Sequence, residues 1–232
     1  MKSAFAAFLF LAVLAVSSAG ESAAPYVRQF ESAYKRAHTL QADFLQQYRE
    51  GDRVTRSEAG VAYFRRPGKM RWEYDSPEKN LFVVDGKFAW FYVPADHTVS
   101  RVAARQSDDW RTPLALLAGE MKVSRVCASI ELSSDQPSDS ALVRLSCIIR
   151  GTEKDVKAGK QHDSAYFDIN KTNGELASVV VSGAGGIRMD LQFSHWRYDP
   201  PVEEVLFHFQ PAKGVAIVDG DELMAGPAQG IR

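Results

Sequence analysis

Residues 81–93 read Leu-Phe-Val-Val-Asp-Gly-Lys-Phe-Ala-Trp-Phe-Tyr-Val. Two runs of apolar, mostly β-branched or aromatic residues meet here across Asp85-Gly86, the strongest short-range signal for an antiparallel hairpin. Upstream the period of two persists. Met70, Trp72 and Tyr74 alternate with Arg71 and Glu73 after an Arg66-Pro67-Gly68 turn. A strand over 57–64 precedes that turn, Glu50-Gly51-Asp52 makes another, and Leu40, Ala42 and Phe44 alternate with Gln41 and Asp43. Before residue 40 the period changes to that of a helix. Tyr26, Phe30 and Tyr34 recur at i, i+4 and i+8 within 25–39, with Arg28, Glu31, Lys35 and Arg36 on other faces.

Downstream, 110–118 breaks the β pattern. Pro113 stands at a helix start, Leu114, Leu116 and Leu117 follow, and Gly119 suits the C′ position. Further strands are expected at 165–170, 176–182, 189–198 and 206–210, with 215–218 placed to close the sheet. Helix, strands, short helix and strands in that order predict an α+β protein that is mainly β, one antiparallel sheet with its helices to one side. No internal repeat or low-complexity linker interrupts it.

Cys127 and Cys147 flank a second hairpin pattern around Pro137. A turn centred on Pro137 sets the two cysteines opposite each other, within reach of a disulfide. Two buried thiols fit the pattern as well, and either arrangement is structural.

The N-terminus carries Lys2 in a positive n-region, an almost unbroken apolar run from Ala4 to Val16, and small residues through Gly20. That is the layout of a secretory signal peptide cleaved near Ala19/Gly20, too short for a permanent membrane anchor. The expected organisation is a signal peptide over 1–20, one domain over 21–218 and a flexible acidic, Gly/Pro-rich tail over 219–232. Export fits the cysteine pair, since disulfides persist in oxidising compartments.

The chain has 232 residues with 45% hydrophobic and 25% charged, enough for a packed core, and its formal net charge of −1 gives no electrostatic footprint for nucleic acid. His38, His97, His162, His195 and His208 are scattered, with no metal-ligand spacing. No Gly-x-Ser-x-Gly elbow is present, and the glycines of 183–186 suit a tight turn between strands better than a phosphate cradle. No enzyme, metal site or cofactor is expected. What is abundant is apolar surface on both sides of one strand, with Phe88, Trp90 and Tyr92 on one face and Ala89, Phe91 and Val93 on the other. Either helices cover the second face, or the sheet curls around an apolar cavity under a helical lid.

The segment Arg65-Arg-Pro-Gly-Lys-Met-Arg-Trp-Glu-Tyr74, followed by residues 81–94, resembles the outer-membrane lipoprotein carrier protein (LolA) family. Phe44-Leu-Gln-Gln47, Thr112-Pro-Leu-Ala-Leu-Leu117 and Phe207-His-Phe-Gln-Pro-Ala-Lys-Gly-Val215 extend the resemblance over nearly the whole mature chain. It implies an incomplete, curved antiparallel β-barrel closed by a helical lid over an apolar cavity. It also implies a monomeric periplasmic carrier that takes acylated lipoproteins from an inner-membrane ABC transporter and passes them to an outer-membrane receptor. A sensor built on the same half-barrel, or less readily a lipid-processing enzyme, is the competing expectation. By the same resemblance Arg66 matches the arginine that fastens the lid; the residues alone read it as a turn arginine among Arg65, Lys69 and Arg71. Met70, Trp72, Phe82 and Trp90 are the cavity candidates on the sheet. Tyr26, Phe30, Leu114 and Leu117 are the lid candidates.

Overall fold

A computed structural model describes residues 22–104, 122–150, 164–182 and 187–219. The signal peptide expected over 1–20, the helix expected over 110–118 with Leu114 and Leu117, and the tail expected from residue 220 onward lie outside the described residues. Helix α1 spans Ala24–Lys35 and is followed by β1 (Thr39–Glu50), β2 (Arg53–Arg65), β3 (Lys69–Ser76), β4 (Leu81–Val84), β5 (Phe88–Val93) and β6 (Thr98–Ala103). One helical turn, α2 (Val123–Val126), leads into β7 (Cys127–Leu132), β8 (Leu142–Ile149), β9 (Ser164–Asn170), β10 (Leu176–Ser182), β11 (Ile187–Tyr198) and β12 (Ala216–Asp219).

The strands form one open, curved sheet in the order β12-β6-β5-β4-β3-β2-β1-β11-β10-β9-β8-β7. Two antiparallel meanders, β1 to β6 and β7 to β11, are joined where β1 pairs with β11. β12 adds to β6 in parallel, so the sheet is antiparallel but for this edge. Asp219, expected in the flexible tail, is the last residue of β12.

Strict alternation sorts the side chains into rows on the inner face, the one α1 covers. Leu40, Phe64, Met70 and Val84 share one row, and Ala42, Ala62, Trp72 and Phe82 the next. All eight belong to the main buried cluster. Burying a large apolar side chain contributes about 1.5–3 kcal/mol, so these rows dominate the stability of the first meander.

The opposite face of β4–β6 carries a second buried cluster of Val83, Trp90 and Val99, with Phe209 and Val215 packed on it. Trp90 is therefore not on the inner face as expected. The β4–β5 register pairs Val83 with Trp90 and Phe82 with Phe91, which fixes Trp90 on the side away from Phe82. The cover over this face is neither of the two expected. It is the segment that follows β11, held where Arg65 donates to the Val202 carbonyl (3.1 Å), Arg71 to the Leu206 carbonyl (2.9 Å) and Lys69 to the Glu204 carboxylate (2.6 Å). The strand expected at 206–210 does not form. A 3-10 turn, Glu204–Phe207, stands there, in which the His208 N–H donates to the Val205 carbonyl (3.0 Å) and Arg71, not a neighbouring strand, takes the Leu206 carbonyl.

One boundary and one register also differ from expectation. The helix expected to reach residue 39 stops at Lys35, since the Asp199 carboxylate captures the N–H groups of His38 (2.6 Å) and Thr39 (3.2 Å) and Thr39 enters the ladder opposite Arg65. Those two N–H donors hold the Asp199 carboxyl below the usual carboxylate range. In the cysteine hairpin, Cys147 lies opposite Ile130 and Cys127 opposite Ile149, with a bulge between Cys127 and Ser129. The two cysteines form a disulfide with Cα atoms 5.5 Å apart, tying the edge strand β7 to β8. Replacing both cysteines by serine should lower the unfolding free energy by about 3 kcal/mol, because the bridge closes a loop in the unfolded chain. Urea unfolding measures this; an unchanged midpoint would show that the edge holds without the bridge.

Candidate functional site

The inner face beneath α1 is lined with aromatic rings. Phe44 meets Trp72 edge-on at 4.8 Å and Tyr74 at 5.1 Å between centroids. Phe64 lies 5.8 Å and Phe193 6.0 Å from Trp72. Of the sheet residues expected here, the structure brings Met70, Trp72 and Phe82 together, each no more than 4% exposed. Phe44, Phe64, Phe193 and Trp196 were not among the candidates.

Trp196 reaches this face through an irregularity that alternation does not reveal. Counting by twos from Leu191 and Phe193 puts His195 inside. The register instead sets Gln41 opposite Arg197 and Asp43 opposite Ser194, leaving His195 and Trp196 against Ala42 as a bulge. His195 takes a left-handed φ of 52° and turns outward to Asp43 (2.8 Å). Trp196 swings under the helix, 5.1 Å from Tyr34 and 5.2 Å from Phe193. On the outer side of the bulge, Gln41, Asp43, His195, Trp196 and Arg197 line a hollow of about 490 Å³. Polar side chains surround its one tryptophan, a lining that suits water better than a hydrocarbon chain.

Helix α1 lays Phe30 and Tyr34, both essentially unexposed, onto this surface. Phe30 packs 6.4 Å from Phe167, and Tyr26 is half-buried at the helix start. Polar contacts fasten the helix from several sides. The Leu176 N–H donates to the Tyr34 hydroxyl (2.7 Å), and Gln29 donates to the Thr172 carbonyl (2.7 Å). The Val123 N–H donates to Glu31 (2.8 Å). At the C-terminal end Arg66 donates to the carbonyls of Tyr34 (2.7 Å) and Lys35. These carbonyls belong to the last helical turn, which lacks the full set of onward helical partners and carries the negative end of the helix dipole. Burial pushes the Arg66 pKa down, Asp199 opposes it, and the guanidinium stays charged at neutral pH.

The position of Arg66 follows from the turn it occupies. Arg65, Lys69 and Arg71 point to the outer face and hold the 202–206 segment, while Arg66, at the turn itself, points to the helix. The basic cluster divides between two tasks. Among the described residues no three His, Cys, Asp or Glu side chains converge as metal ligands.

An open, curved sheet with an aromatic inner face under a clamped amphipathic helix defines the half-barrel class of binding proteins. The profile described as "Outer membrane lipoprotein carrier protein LolA" matches residues 35–210. The chain belongs to that family. A Coxiella burnetii protein named outer-membrane lipoprotein carrier protein is 28% identical over 91% of this chain and 93% of its own length. One of the same name from Nitrosomonas europaea is 30% identical over 83% of this chain and 88% of its own. Among solved structures, an uncharacterized conserved protein of Thermus thermophilus superposes with a TM-score of 0.51 at 15% identity, covering 85% of this chain and 99% of that one, and supports the fold alone.

Proposed function

We propose that the protein is an exported, monomeric, non-catalytic carrier of acylated lipoproteins, in which the acyl chains displace α1 and occupy the inner face. Residues 1–20 direct it to the periplasm and are removed, and 21–218 form one domain. It accepts cargo from an inner-membrane ABC transporter and delivers it to an outer-membrane receptor. The observation that carries this reading is the combination of a wide aromatic face with a helix that packs Phe30 and Tyr34 on it and is fastened by polar contacts. Each buried methylene is worth about 0.8 kcal/mol, so several acyl chains cannot cross water unshielded. The hydrogen bonds of the cover exchange for water at modest net cost, and acyl chains on the inner face replace the contacts of Phe30 and Tyr34, so opening becomes a shift between two states. Met70, a flexible side chain in the first row, suits a surface that must accept chains of changing shape. The match to relatives named as carriers over 91% of this chain favours a carrier over a sensor or an enzyme.

The test is direct. The mature protein is titrated with a synthetic triacylated lipopeptide while tryptophan emission is followed, since Trp72 and Trp196 lie under the helix. Saturable binding with a spectral shift is expected, and the shift should be lost in a Trp72→Phe, Trp196→Phe double variant. Absence of lipopeptide binding by the wild type would overturn the carrier reading.

A further inference from the structure

The rows of the inner face change character along β1. After the Leu40 and Ala42 rows comes Phe44, opposite Gly60, which in turn faces Tyr74. On β1 and β2 the next two positions are polar, while Leu191 and Met189 continue the same rows as apolar residues on β11. Gln46 stands opposite Glu58 and Tyr48 opposite Arg56, on the same face. Gln46 is 0% and Glu58 5% exposed. The Gln46 amide donates to the Tyr48 hydroxyl (2.6 Å) and to Glu58 (3.3 Å), and its oxygen accepts from the Tyr74 hydroxyl (3.1 Å). Arg56 donates to the other Glu58 oxygen (2.5 Å). Tyr74 spans the border, its ring against Phe44 and its hydroxyl in the polar cluster.

We infer that this cluster is a subsite for the ester and amide groups through which acyl chains join their cargo; the inference rests on the carrier reading above. Burying a carboxylate and an amide at the end of an apolar face costs free energy that leucines at the same positions would avoid. A ligand made of hydrocarbon alone gives no reason to meet that cost. An acyl chain, however, ends in a carbonyl, and its linker adds amide N–H groups that need partners once removed from water. The cluster holds both kinds of partner. Tyrosine hydroxyls, the Gln46 amide and the Arg56 guanidinium donate, while Glu58 and the Gln46 carbonyl accept. The placement also fits, because Arg66 fastens the C-terminal end of α1 near the Thr39 end of β1, and the apolar rows of β1 and β2 lie between that fastening and the cluster. Chains lying along the rows reach toward the helix while their polar junction stays at the Gln46 end.

Diacylglyceryl lipids share the ester chemistry, so the test uses three ligands: a triacylated lipopeptide, a diacyl phospholipid and a pyrenyl-alkane with no carbonyl. They are titrated into wild type, Gln46→Leu and the milder Tyr74→Phe. Lipopeptide affinity should fall about tenfold in Gln46→Leu and about threefold in Tyr74→Phe, while alkane affinity changes by less than about twofold. A parallel loss for the phospholipid assigns the recognised group to the esters; a loss for the lipopeptide alone assigns it to the amides, and both support the subsite. Unchanged lipopeptide affinity in both variants, or equal losses for lipopeptide and alkane, would overturn it and leave the carrier reading standing. Wild-type binding of the alkane without the lipopeptide would overturn both.

Discussion

On the proposed carrier mechanism, Arg66→Leu is expected to load lipoprotein as well as the wild type and to pass it to an outer-membrane receptor at least about tenfold less efficiently, since charge-assisted hydrogen bonds are worth about 1.5–3 kcal/mol each. The sign follows from which state the bonds favour. Arg66 contacts the Tyr34 and Lys35 carbonyls when α1 lies on the inner face, which is the closed state of the proposed mechanism. Removing these contacts leaves the loaded state untouched and destabilises the empty one, so cargo is retained. None of the neighbouring cations substitutes, because Arg65, Lys69 and Arg71 are committed to the 202–206 segment on the other face. Arg66→Lys should rescue only in part, keeping the charge but losing the fork that reaches two carbonyls at once. The measurement is transfer from purified loaded carrier to receptor, with Arg65→Leu as the comparison. Equal transfer by wild type, Arg66→Leu and Arg65→Leu would reduce Arg66 to a turn residue.

Gly60→Ala is expected to destabilise the fold by about 3 kcal/mol or more, at the upper end of what overpacking does. A Cβ at this position would stand 1.9 Å from the Glu73 carbonyl oxygen and 2.9 Å from its carbon. Both atoms belong to the backbone of β3, so no side-chain rotation relieves the overlap and the β2–β3 ladder must open. The site also borders the bulge between Ala59 and Gly60, where the ladder already shifts register. Thermal unfolding measures the effect, and a wild-type midpoint would show that the ladder yields there at little cost. The consequence extends to the site, because Gly60 sits between Phe44 and Tyr74 at the edge of the polar cluster.

The inner face was legible wherever alternation ran unbroken. Met70, Trp72 and Phe82 could be assigned to one side because β3 and β4 keep the period of two and pair in register. Trp90 was misplaced although its strand was correctly bounded, since a period of two separates faces without saying which is inner. That choice depends on the hairpin register, which sets Trp90 beside Val83. Trp196 was missed for a different reason. The bulge at His195 carries no glycine to mark the left-handed residue, so nothing local signals the change of phase. Gln46 and Glu58 read as ordinary polar strand residues until the ladder set them side by side under cover.

What the amino-acid sequence determined by itself is local. It specified the hairpin at Asp85-Gly86, the amphipathic helix with Phe30 and Tyr34 on one side, and the meander from β1 to β5, because each rests on periodicity or turn chemistry within a few residues. The tertiary structure decided what depends on distant partners. It ended α1 at Lys35 through Asp199, turned 202–206 into a strap under Arg65 and Arg71, and divided one basic cluster between the two faces of the sheet. Most of these outcomes join residues far apart in the chain, as with Arg65 and Val202. Such contacts leave no trace in the spacing of neighbours, and they form only once the sheet has brought its two meanders together.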